Sequence, residues 1–175
     1  EGALDEITTM LQRVRELAVQ SGTGTTASAD RSSLNTEFQA LVDEIDRIVD
    51  NTQWNGRNIL NAAAGGAANA STVAFQVGMD PKQTISLSFG NFLQTGASGT
   101  FKSLASATLT LSAATIALGI TNASKVMVVT DLAIERVSSQ RATFGAVSNR
   151  LEHAFDNLTN VKTNTEASRS RRLDT

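Results

Sequence analysis

Apolar residues at the start of the chain recur at alternating steps of three and four. Leu4, Ile7, Leu11, Val14 and Ala18 have the spacing of a coiled-coil seam and predict an amphipathic helix over residues 3–20. Residues 21–29, rich in Ser, Gly and Thr, break the pattern and read as a loop. A second stripe follows, Leu34, Phe38, Leu41, Ile45 and Ile48, again in heptad steps. It predicts a helix over about 31–51 with Asp30 as its N-cap, since a carboxylate there can accept from the free N–H groups of the first turn. Trp54-Asn55-Gly56 then marks a turn, because Asn and Gly tolerate left-handed backbone conformations.

The period changes in the middle of the chain. Val73, Phe75 and Val77 alternate with polar residues, and so do Ile85, Leu87 and Phe89. Such alternation puts one apolar face on a β-hairpin, with Gly78 to Gln83 as its connection. Residues 62–71 and 90–121 are rich in small residues and read as connectors.

The last third carries the longest periodic signal. Ala123, Val126, Thr130, Ala133, Val137, Gln140, Phe144, Val147, Leu151, Ala154, Leu158 and Val161 fall on one unbroken heptad seam. A helix over that seam is roughly 58 Å long, too long for a compact domain whose expected radius of gyration is ~16 Å. The predicted fold is therefore mainly α: an elongated helical bundle or coiled coil. Two shorter N-terminal helices lie along one long C-terminal helix, and the β-hairpin is an insertion covering part of it. Ala123, Thr130 and Ala133 are small enough for a neighbour to approach closely, and Phe144, the largest side chain on the seam, is expected in the core.

Composition narrows the function classes. The 175 residues contain no Cys, which removes disulfides, thiol nucleophiles and Cys-based metal sites. Fifteen basic residues face seventeen acidic ones, so bulk charge does not suit nucleic-acid binding. No apolar run approaches the ~20 residues of a membrane helix, and no cleavable signal peptide is visible. The chain begins at Glu1, without Met, and reads as part of a longer product.

Candidate chemistry is sparse. His153 is the only His and reads as a helix-surface residue rather than a metal ligand or general base. Glu37, Asp43, Glu44, Asp46 and Asp50 have the spacing of a solvated helix face. The Gly-rich stretches lack the Gly-Lys-Ser/Thr of a phosphate loop, and no Gly-x-Ser-x-Gly elbow occurs. Arg169, Arg171 and Arg172 suit a helix C-terminus, whose partial negative charge favours cations. Trp54 reads as a buried turn anchor rather than a sugar platform. No catalytic, cofactor or metal site is expected. One segment stands apart. With Val14 on the seam, Arg13 and Leu17 share a face largely outside it, and an Arg beside a semi-exposed Leu is chemistry typical of binding hot spots.

The residues from Leu11 to Ser21, LQRVRELAVQS, resemble the N-terminal rod motif of the bacterial flagellins. Gly24-Thr25, Asp30-Arg31 and Glu44 to Ile48 follow in the family's order, and Trp54-Asn55-Gly56 is similar to its Phe-Asn-Gly turn. Val137 to Arg141, Gly145 to Val147, Asn149 to Leu151 and Asn157-Leu158 resemble the C-terminal rod helix. Ser170-Arg171 and Asp174-Thr175 are similar to the start of the next stretch, with Arg172 where an aliphatic residue is expected. The resemblance covers about 1–61 and 121–175. It implies that 1–61 is the N-terminal part of a rod domain, 62–121 its hairpin and connector, and 122–175 the long helix of the same domain.

It further implies a non-enzymatic structural subunit of the flagellar filament, extracellular and acting in motility. Its partners would be other flagellin subunits, an export chaperone and cap, and the vertebrate innate-immune receptor that senses flagellin. The positions matching that packing and receptor surface are Arg13, Leu17 and Glu37, expected to form one outward patch. The terminal helices of the family would lie outside this chain, which is then expected to be monomeric. Two other uses of such a scaffold stay open: a cell-surface protein that binds a polysaccharide or host ligand, and a hook–filament junction protein.

Overall fold

A computed structural model describes residues 1–61, 72–78, 80–93 and 116–173. Three helices dominate: α1 (Gly2–Gly22), α2 (Ser28–Asn51) and α3 (Ile116–Leu173). Between α2 and α3 lie two antiparallel pairs, β1 (Gln53–Trp54) with β2 (Arg57–Asn58), and β3 (Thr72–Gln76) with β4 (Thr84–Ser88).

The predicted seam of α1 is its buried face: Leu4, Ile7, Leu11, Val14 and Ala18 are all at most 1% exposed. Met10 and Leu17 are buried as well. The reason is that α1 packs against both α3 and α2, so it must bury a stripe wider than one seam. In α2 the buried line is Arg31, Phe38, Val42, Ile45 and Val49, with Leu34, Leu41 and Ile48 only partly covered. The expected stripe was thus turned by about one position. Helix α2 also starts earlier than expected. Its N-cap is Ala27, with no side-chain capping bond, and Asp30 lies in the first turn, where its charge still favours the positive end of the helix dipole.

α1 and α3 run antiparallel. Arg141 reaches Asp5 at 3.1 Å near the start of α1, and Arg15 Nε meets Asp131 Oδ1 at 2.7 Å farther along. The α3 seam is buried at Ala123, Val126, Thr130, Ala133, Val137 and Val147. Thr130 is accommodated there because its hydroxyl donates to the Val126 carbonyl at 2.7 Å. Beyond Val147 the same seam loses its cover, and Leu158 and Val161 are 42% and 53% exposed. The helix, 58 residues and about 87 Å long, outruns the body. It begins at Ile116, so its first turns occupy positions expected to belong to the connector.

Both turns follow from their residues. Asn55 (φ 51°) and Gly56 (φ 73°) are both left-handed, as the two-residue type I′ hairpin between Trp54 and Arg57 requires. In the larger hairpin Val73 pairs with Leu87 and Phe75 with Ile85. Its connection ends in a turn in which Gln83 N donates to the Asp80 carbonyl at 3.3 Å, with Pro81 second and Lys82 third at φ 77°, the pattern of a type II turn. β4 docks on α3: the Gln140 amide donates to the Ser88 carbonyl at 2.9 Å, and the Phe89 and Phe144 rings meet edge-on at 5.5 Å. Gln140 thus serves the seam by holding the hairpin. Phe92, expected in a connector, is 2% exposed, and its N–H donates to the Leu60 carbonyl at 2.8 Å. Residues 62–71 and 94–115 of the expected connectors lie outside the described residues.

Candidate partner surface

The exposed side of α1 carries Gln12, Arg13, Arg15, Glu16, Val19 and Gln20. Helical spacing puts Arg13 and Glu16 one turn apart, and the antiparallel return of α2 brings Glu37 alongside. Arg13 Nε donates to Glu37 Oε1 at 2.8 Å, and its Nη1 donates to Glu16 Oε2 at 3.0 Å. The bond to Glu37, followed by the bond to Glu16, holds the Arg13 guanidinium above the ordinary arginine range. About half of each side chain of the Arg13–Glu37 pair faces solvent, so solvent screening leaves the pair little weight in stability, and it stays open to a second partner. Arg15, at the opposite edge of this exposed side, is paired to Asp131 of α3.

Leu17 does not join this patch. It is fully buried, which corrects its expected outward placement. A single-seam count leaves Leu17 beside the seam, and the second contact made by α1, with α2, turns that position inward. The large apolar side chain this face does expose is Val19, at 48%. The structure therefore brings together Arg13 and Glu37 and separates Leu17 from them.

Trp54 also departs from expectation. It is 53% exposed, its ring tilted against Phe75 at 6.1 Å, so it is not a buried anchor. The turn is held instead by its own backbone geometry and by Asn58, whose amide donates to the Asp50 carbonyl at 2.8 Å. His153 is exposed on α3. Among the described residues no group of three or more His, Cys, Asp or Glu could hold a metal ion, and no helix is long and apolar enough to cross a membrane.

Arg31 lies outside the expected apolar stripe, yet it is a structural residue. It is completely buried on the seam of α2, and its guanidinium reaches back to the end of α1, where Nε donates to the Ser21 carbonyl and Nη2 to the Thr23 carbonyl, both at 3.0 Å. The available signal was its place seven residues before Phe38 on the same heptad position.

Comparison with known proteins agrees with this architecture. Residues 1–64 match the bacterial flagellin N-terminal helical region, and residues 127–174 the C-terminal helical region. A flagellin of Halalkalibacterium halodurans is 38% identical over 174 residues, covering 99% of this chain and 58% of that protein. A flagellin of Bacillus subtilis is also 38% identical, over 192 residues, covering 99% of this chain and 62% of that one. The chain thus spans about three-fifths of the length of these curated relatives. The crystal structure of Bacillus cereus flagellin superposes with a TM-score of 0.67 at 30% identity, covering 95% of this chain and 86% of that one. With both helical regions matched in order and the whole fold shared, the chain belongs to the bacterial flagellins.

Proposed function

We propose that the chain is the rod portion of a structural subunit of the flagellar filament, located outside the cell and assembled with copies of itself. The observation that carries this reading is the uncovered continuation of the α3 seam. Leu151, Ala154, Leu158 and Val161 keep the heptad frame of the buried part, yet Leu158 and Val161 are exposed. A seam that continues without a partner within the described residues suits a protein completed by further helix, from the rest of the subunit or its neighbours. A contact between unlike faces that does not close on itself generates a helical filament.

The test is electron microscopy of cells that make the whole protein as their sole flagellin. The parent should form filaments. Leu158→Asp combined with Val161→Asp should abolish them, while this chain carrying both substitutions keeps its melting temperature. Failure of the parent to form filaments would overturn the assignment, and normal filaments from the double variant would remove the exposed α3 seam as the contact that carries it.

The Arg13–Glu37 surface is the proposed contact for a neighbouring subunit and for an innate-immune receptor. The export chaperone and cap would meet the same subunit before and during assembly. Arg13→Ala should weaken binding of purified receptor ectodomain by ~1–3 kcal/mol, with little change in melting temperature. Leu17→Ala, by contrast, should destabilise the chain by ~2–5 kcal/mol as a core truncation. Unchanged receptor affinity for Arg13→Ala would remove the receptor reading and leave the filament reading standing.

A further inference from the structure

We propose that Arg31 is a register lock: a positioning residue that fixes how far α2 slides along α1, and so holds Glu37 opposite Arg13. The consequence for partner binding rests on the reading of that surface given above, whereas the register itself does not.

The other seam residues do not by themselves fix an axial offset. Apart from Arg31 and Ser21, the buried side chains of α1 and α2 are apolar. Apolar burial is non-directional and the seam offers a similar apolar layer about every turn, so a slide by one layer exchanges one set of such contacts for a similar one. The Arg13–Glu37 pair cannot supply the missing specificity, because it is half exposed and joins two flexible side chains.

Arg31 differs in kind. It occupies the seam position one heptad before Phe38, and a guanidinium presents its donors in a rigid fork. Two of those donors meet two particular carbonyls, of Ser21 and Thr23, at the end of α1. Those carbonyls carry the partial negative charge of a helix C-terminus. A slide by one turn would strip both bonds from a fully buried cation. α3 closes the third side. A Cβ built on Gly119 would lie 3.0–3.2 Å from Nε, Cδ and Cζ of Arg31, so a larger residue there would press on the guanidinium and require it to give way.

The arrangement is not optimised for stability. Arg31 Nη1 is buried with no hydrogen-bond partner, a cost that an apolar residue of similar length would not carry. A buried polar group that costs stability while admitting only one alignment is a known device for setting register.

The chain contains no Cys, so two introduced cysteines label it uniquely. Spin labels at Gln12→Cys and Asp43→Cys, both exposed and away from the pair, report the axial offset of α1 and α2. With Arg31 present, their distance distribution should have a single peak. Arg31→Met should keep or raise the melting temperature, yet add a second population displaced by about one turn, ~5.4 Å. Gly119→Ala, which crowds the guanidinium, should do the same. A single unshifted peak in both variants would overturn the proposal. Loss of the cooperative melt in Arg31→Met would also overturn it, because it would make Arg31 a stability residue. Receptor affinity is a separate measurement, so failure of the register proposal and failure of the partner-surface reading can be told apart.

Discussion

Aromatic side chains on the helices differ in how deeply they are buried. Phe144 was expected to anchor the core as the largest side chain of the α3 seam, but it is only partly buried, against Phe89. Among the described residues the fully buried rings are Phe38 on α2 and Phe92 after the hairpin. Phe38→Ala should therefore cost ~3–5 kcal/mol. Phe144→Ala should cost less, ~1–2 kcal/mol, for part of a ring and one edge-on contact. His153→Ala should stay within ~0.5 kcal/mol, as surface changes do. Denaturant melts of the three variants check the ranking, and equal losses for Phe38 and Phe144 would contradict it. The misplacement of Phe144 has a simple cause. A heptad position says which way a side chain points along a helix; whether another helix covers that point depends on where α1 and the hairpin end.

At the scale of elements, the helices differ in how they are supported. On α2 Arg47 Nε donates to Glu44 Oε2 at 2.7 Å one turn away, and this bond holds the Glu44 carboxyl below its ordinary range. A depressed carboxylate stabilises the folded chain above its unfolded pKa, and the benefit fades as pH falls through the folded value. Glu44→Gln should therefore flatten the fall in melting temperature on acidification from neutral pH to below the usual glutamate range. An unchanged slope would show the pair to be without consequence. α3 is uneven along its length. Its amides between Ala123 and Val147 lie under α1 and the hairpin and should exchange slowly with solvent. Those from Phe155 to Leu173 lie on an exposed stretch containing Asn and Thr, and should exchange fast in the isolated chain, since a helix without tertiary cover is marginal in water. Hydrogen exchange read by mass spectrometry distinguishes the two segments, and uniform protection along α3 would mean that the far end is covered.

For the whole molecule, the body is a short three-helix assembly from which one helix projects. Overlap with α1 and the hairpin ends near Val147, and the remaining seam is narrow, Leu151 to Val161, before it turns polar at Thr165 and Ser168. So short an apolar seam is too little for stable self-association of the chain alone. The expected outcome is a monomer that does not grow fibres even with filament seeds present. Light scattering at high concentration measures this directly, and fibre growth from this chain alone would show that it contains every contact a filament needs.

The local period of apolar residues was enough to determine three helices, a hairpin and a tight Asn-Gly turn, because each depends on spacing or on left-handed backbone within a few neighbouring residues. The family was legible for the same reason, in motifs such as LQRVRELAVQS that lie on those elements. The family resemblance also placed Arg13, Leu17 and Glu37 in one patch, and the antiparallel return of α2 makes Arg13 and Glu37 a pair. Tertiary structure alone decided that α1 serves two neighbours and so buries Leu17, that the stripe of α2 centres on Phe38 and Val42, and that Trp54 faces solvent. It alone turned Arg31 into the buried link among all three helices. Each of these depends on which surfaces meet across residues distant in the chain, and periodicity within one helix carries no information about its neighbours.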